Sequence, residues 1–204
     1  VYKAAAEIGE LGDNVRVMRA AIEADDLLRR ALSGPSAEVG VLGHTRWASV
    51  GIISGPNAHP LNSEETDRRD GPYAAGALNG DVDNFADLKA AHGLAIRSEI
   101  TTDAKVIPTM VSRALSSGLG SVEAFRRSVT EMQGSVAIGV QVAAEPDRLL
   151  LALRGSGQAL YVGVTDDAYL VASEPYGLVE VADRYLRLDG ETPSDPANPA
   201  GSRG

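Results

Sequence analysis

Cysteine is absent from the 204-residue sequence. It therefore offers no disulfide and no thiolate metal site, a composition compatible with a cytosolic protein. Histidine is scarce too. The three residues His44, His59 and His92 lie well apart and match no metal-ligand spacing, so neither a metal nor another cofactor is expected. Basic side chains are outnumbered, 19 Lys and Arg against 28 Asp and Glu, for a net charge of -9. Such a chain lacks the basic footprint that counterion release requires, which argues against a nucleic-acid or anionic-membrane partner. No apolar run approaches bilayer length, and Val1-Tyr2-Lys3 opens straight into Ala and Glu with no visible signal peptide. What is present is an ordinary globular composition, 44% hydrophobic, in a length that suits one domain with a short appendage.

Periodicity divides the chain into helical and strand-like blocks. Asp13-Asn14 can cap a helix running to about Leu32, with Val17, Met18, Ala21, Ile22 and Leu28 on its apolar face. Gly34-Pro35 ends it, and Val39, Val41 and Leu42 then read as a buried strand that delivers His44 to Trp47. Residues 50–72 read as a long binding loop. Tyr73 to Leu78 reads as a strand that stops at Asn79-Gly80, and Asn84 as the cap of a short helix. Helices follow from Asp103 to Leu115 and from Ser121 to Met132. Beyond Gly134 the alternation Val136, Ile138, Val140, Val142 begins a series of strands joined by Gly and Asp turns, hence an antiparallel sheet. Helices grouped between strand blocks give an α+β architecture. Residues 1–190 form the domain, and 191–204, rich in Pro, Ser, Gly and Asn, a linker or tail.

Two segments carry chemistry. One is His44-Thr45-Arg46-Trp47-Ala48-Ser49-Val50-Gly51 with the downstream Asn57-Ala58-His59-Pro60; the other is Leu78-Asn79-Gly80-Asp81-Val82-Asp83-Asn84. With Thr102-Asp103-Ala104-Lys105 and Ala152-Leu153-Arg154-Gly155-Ser156 they resemble class II glutamine amidotransferase domains, above all those of glutamine–fructose-6-phosphate aminotransferases. That family's patterns are H-T-R-W-A-T-H-G, N-A-H-P, H-N-G-x-x-x-N and T-D-x-E. The resemblance implies a four-layer αββα N-terminal-nucleophile sandwich, incomplete here at its N-terminus. It implies glutamine as substrate, a sugar-phosphate isomerase domain or subunit as partner, and a homo-oligomer.

The residue types agree with those roles. Glutamine carries a carboxylate, an ammonium and a neutral amide. Arg46 offers a planar fork for the carboxylate, and Asp103 an acceptor for the ammonium. Asn79 and the Gly80 amide can form an oxyanion hole, because glycine lets the backbone approach the developing charge. The resemblance adds Trp47 and Ser49 to the substrate-binding residues, with the loop after Trp47 closing over glutamine. Each residue also has a plainer reading. Arg46 can be an ion-pair residue, Asn79-Gly80 a turn, Asp103 an ordinary acid at a helix start, and Trp47 part of the core. His44 and His59 read as hydrogen-bonders that stabilise their motifs.

Three positions depart from the family pattern. Val50 and Leu78 stand where the family has histidine, and Lys105 where it has glutamate. The family nucleophile, an N-terminal cysteine whose own amine is the base, has no counterpart at Val1. Two functions stay open on these residues: a glutaminase that supplies ammonia for amination of a sugar phosphate, or an inactive relative that binds an amino acid or a protein partner.

Overall fold

The structure is a computed structural model that describes residues 1–5, 10–35, 37–46, 49–68, 70–192 and 197. The single helix expected up to Leu32 is two, α1 (Asp13–Glu23) and α2 (Asp26–Leu32). The break has a local cause. Asp25 is extended, and its carboxylate accepts the Leu28 amide at 2.9 Å, which starts a new helix. The cap of α1 is Gly12 rather than Asp13 or Asn14. Neither helix buries a residue, so the apolar face read from Val17 and Ile22 is left in solvent.

The strand expected at Val39 to Leu42 does not form. Residues 37–46 belong to no helix or strand, and Val39 and Val41 are 57% and 78% exposed. β-branched residues favour extended backbone, yet a strand exists only where a neighbour accepts its hydrogen bonds. The segment still carries His44 and Arg46 to the site described below.

One antiparallel sheet holds the core, in the order β1 (Leu61–Asn62), β2 (Ala74–Val82), β3 (Gly134–Val142), β4 (Glu145–Arg154). Ala74, Leu78 and Val82 of β2 alternate onto the face covered by α3 (Phe85–Ala91), α4 (Val106–Ser116) and α5 (Ser121–Glu131). There they meet Ile107, Val111, Phe125, Val129, Ile138 and Val140. Burial of this apolar face, at roughly 25 cal/mol per Å², is the main force fixing the register of β2. Asn84 precedes α3 as expected, but its side chain bonds Glu131 O and the Gln133 amide across the domain instead of capping the helix.

A second antiparallel sheet places β5 (Tyr161–Val164) between β6 (Tyr169–Ala172) and β7 (Arg184–Arg187). Ala137, Leu153 and Leu160, with Leu151, Val171 and Leu188, join it to the face of the first sheet that lies away from the helices. The result is the expected α+β sandwich. The tail proposed at 191–204 lies almost wholly outside the described residues.

Candidate active site

Asn79-Gly80 is not a turn. β2 runs straight through it, with Asn79 opposite Ala137 and Gly80 opposite Val136 of β3. Sequence suggested a stop because the pair is common in hairpins; the long ladder to β3 overrides that local preference. Position 80 needs glycine for two reasons. Its φ is +108°, and a Cβ there would stand 2.0 Å from the Ser135 carbonyl oxygen.

On its other edge β2 pairs with β1 only through Gly76 and Ala75. Beyond that the edge is open, and its amides turn to side chains. The Leu78 amide donates to His59 Nδ1 at 3.4 Å, and the Val82 amide to Asp103 Oδ2 at 2.7 Å. Gly80 lies between them. A cavity of about 260 Å³ opens here, lined by Arg46, Ser49, Asn79, Gly80 and Asp103 together with Asp81 and Gln158. Five of the six residues singled out from sequence thus share one cavity. The sixth, Trp47, lies outside the described residues.

Each is held by identifiable contacts. The Arg46 guanidinium donates to the carbonyls of Val50 and Ile52, so the loop that follows it is wrapped on its own arginine. A guanidinium has five N–H donors, more than those two carbonyls consume. Burial works against the Arg46 charge and Asp103 supports it. Ser49 donates to Asp81 Oδ1 at 2.5 Å, tying the same loop to β2. Asp103 is buried at the start of a 3-10 turn (Asp103–Lys105) leading into α4. Burial raises its pKa; the Val82, Ala104 and Thr102 hydrogen bonds oppose that rise, and the neighbouring Asp81 adds to it. The Asn79 side chain makes no hydrogen bond with a described residue.

Asn57 organises this site from behind. Fully buried, it accepts the Thr101 and Thr102 amides at 2.8 and 3.2 Å. Its two N–H groups are shared among Ile52 O, Ser54 Oγ and Thr101 Oγ1 at 3.1–3.2 Å. The loop that carries the Arg46 acceptors is thereby bound to the residue just before Asp103. Asn57 stands in the Asn-Ala-His-Pro motif, and its complete set of donors and acceptors is what makes it irreplaceable by shape alone. Two residues on, the His59–Pro60 peptide is cis. His59 is neutral, its pKa lowered to about 3 chiefly by burial and further by His44, Arg46 and Lys3. Its ring lies 4.4 Å from that of His44, and His44 Nδ1 and His59 Nε2 are buried without partners among the described residues. The two rings thus pack against each other beside the cavity, with His59 Nδ1 accepting the Leu78 amide.

The three departures from the family pattern occupy different places. Leu78 both borders the cavity and belongs to the core beneath the helices, so an apolar side chain stands there where the family has histidine. Val50 contributes its carbonyl to Arg46. Lys105 points elsewhere. Its buried Nζ donates to Asn62 O at 2.5 Å, Asn62 Oδ1 at 3.2 Å and Glu64 O at 2.7 Å, and burial lowers its pKa to about 8. Among the described residues no cluster of three potential metal ligands occurs, and no helix is long and apolar enough to cross a membrane.

No protein-family model matches the chain. Curated relatives do. A glutamine–fructose-6-phosphate aminotransferase (isomerizing) of Bacillus thuringiensis is 35% identical over 153 residues, which are 75% of this chain and 24% of the relative. The Caulobacter vibrioides protein of the same name is 31% identical over 193 residues, 92% of this chain and 30% of that one. The chain thus spans about a quarter of the length of these relatives. Among solved structures, the glutamine phosphoribosylpyrophosphate amidotransferase of B. subtilis, complexed with ADP and GMP, superposes with a TM-score of 0.57 at 24% identity, over 72% of this chain and 30% of that one. An allosteric regulatory enzyme of purine biosynthesis gives 0.51 at 25% identity, over 66% and 28%. In sequence and in fold, then, the chain belongs with the class II, N-terminal-nucleophile glutamine amidotransferase domains and is similar to those of glutamine–fructose-6-phosphate aminotransferases.

Proposed function

We propose that this cavity binds glutamine and that the chain is the glutaminase domain of an amidotransferase that aminates a sugar phosphate. The observation that carries the reading is the convergence of Arg46 and Asp103 on one cavity with Asn79 and Gly80. Arg46 takes the α-carboxylate and Asp103 the α-ammonium. That leaves the side-chain amide on the open edge of β2, at Asn79 and Gly80. Asp103 meets β2 at Val82, two residues from Gly80, which is roughly 7 Å along a strand and suits a side chain of two methylenes.

When the amide carbon becomes tetrahedral its oxygen gains charge. The Asn79 amide and the Gly80 N–H stabilise that charge, and donors of this kind are each worth about 10²–10³ in rate. Ser49 completes the substrate-binding set from the cavity wall, and the family resemblance adds Trp47. No residue of the given sequence is a cysteine, so these residues account for binding and for oxyanion stabilisation, and the attacking thiolate is not among them. The departures at Val50, Leu78 and Lys105 from the family pattern favour a second reading, a domain that binds an amino acid without turnover. The length of the relatives supports a sugar-phosphate isomerase domain as partner, and we extend the proposal to a homo-oligomeric assembly in the cytoplasm.

Isothermal titration with L-glutamine tests the binding reading. Heat of binding that disappears in Arg46→Ala is the expected result; wild type without heat, or heat unchanged by the substitution, rejects it. Glutamate release in a coupled assay then separates turnover from binding alone.

A further inference from the structure

The cavity has a polar residue that no motif anticipated. Gln158 lines it beside Gly80, half-buried, and makes no hydrogen bond with a described residue. Its position follows from close packing of two backbone segments. The Gly157 amide donates to Ser135 Oγ at 2.9 Å, and a Cβ on Gly157 would stand 2.8 Å from that oxygen. Ser135 is opposite Asp81 in the β2–β3 ladder, and its carbonyl is the atom that excludes a side chain at Gly80. Glycines at 80 and 157 thus let the turn after β4 press onto β2 through Ser135. Gln158 is carried with it, its Cγ only 2.9 Å from where a Gly80 Cβ would be.

We propose that Gln158 is a specificity residue that reads the ligand's side-chain carboxamide. This assignment rests on the glutamine reading of the cavity. The charged groups that suit an amino-acid head, Arg46 and Asp103, are bound to the loop after Arg46 and to Val82. Asn79, Gly80 and Gln158 form an uncharged polar patch, with the neighbouring Asp81 carboxylate engaged by Ser49, and an uncharged carboxamide is the ligand group that matches it. Glutamine's amide needs donors for its oxygen and an acceptor for its NH2. Asn79 and Gly80 supply donors to the oxygen; the Gln158 carboxamide, across from them beside Gly80, offers an acceptor oxygen for the NH2. A cavity that hydrogen-bonds a substrate group rejects analogues without it, because its own polar atoms are then left unpaired.

The test pairs L-glutamine with L-norvaline, which has the same head group and no carboxamide, and uses Gln158→Met, which keeps the side-chain length and removes the polar atoms. The wild-type chain should bind glutamine more tightly than norvaline in calorimetry. Gln158→Met should weaken glutamine by about tenfold, the worth of one hydrogen bond, and leave norvaline unchanged. Unchanged glutamine affinity in Gln158→Met overturns the role of Gln158 and leaves the glutamine site standing. An equal loss for both ligands marks a merely structural effect and overturns it as well. Wild type that binds neither ligand overturns the inference together with the reading on which it rests.

Discussion

The Asp103 carboxylate accepts the main-chain amide of Val82 at 2.7 Å, inside the domain and at the open edge of β2. The bond fixes where a ligand ammonium would find its counter-charge. Asp103→Asn keeps the shape and an acceptor oxygen while removing the charge. Glutamine affinity should fall about 10–100-fold, the worth of a hydrogen bond to a charged group, with stability at neutral pH changed by no more than about 1 kcal/mol. Because burial raises the Asp103 pKa, wild-type affinity should also decline with acidification sooner than an ordinary aspartate would dictate. Calorimetry across acidic pH checks both; affinity independent of Asp103 charge contradicts the assignment.

Asn57 is the second point of leverage. Asn57→Ala removes all the hydrogen bonds of that side chain and leaves the Thr101 and Thr102 amides short of an acceptor in the interior. The expected loss is about 2–4 kcal/mol in urea unfolding. Glutamine binding should weaken at the same time, because the Ile52 carbonyl that receives Arg46 is held by the same side chain. A fully stable variant would show that Asn57 does not organise the loop.

Gly80→Ala should disrupt the strand rather than adjust it. The added methyl would meet the Ser135 carbonyl oxygen at 2.0 Å in a backbone conformation that alanine rarely adopts. A cost of about 2–4 kcal/mol is expected, since backbone and not a flexible side chain must move. Denaturant midpoints compared with those of Gly93→Ala, a site with a positive φ and no neighbour within 4 Å, separate the steric part from the conformational part.

Lys105 yields a pH dependence with a defined sign. Its pKa falls from 10.5 when unfolded to about 8 when folded. The unfolded chain therefore binds more protons between those values, and stability from this group rises with pH across that window. Relative to Lys105→Met, wild type should gain about 1–3 kcal/mol between pH of about 7 and about 10, read by urea unfolding at each pH. A gap that shrinks or stays constant contradicts a buried, carbonyl-bound ammonium.

Those residues also mark how far the sequence could be read. Alternation in Val136 to Val142 revealed β3 because one face of that strand is wholly apolar and one of its partners, β4, follows directly in sequence. Helices from Ser121 and around Val106 were legible for the same reason, an apolar stripe that has a sheet to cover. Val39 to Leu42 misled because strand propensity says nothing about whether a partner exists. Asn79-Gly80 misled in the opposite direction, since a turn-forming pair was drawn into a ladder by β3. In the site, Arg46, Ser49, Asn79, Gly80 and Asp103 could be gathered by motif and chemistry before any fold was known. Gln158 could not, because its place beside Gly80 depends on a turn packing across Ser135, a contact between segments far apart in the chain.

Whether the cavity between Arg46, Asp103 and Gly80 is a glutamine site is decided by a crystal structure of the chain with L-glutamine. The ligand carboxylate is expected on the Arg46 guanidinium, the ammonium on Asp103 and the carboxamide against Asn79 and Gly80. Glutamine bound elsewhere, or lying in this cavity with its carboxamide on Arg46, would contradict the assignment.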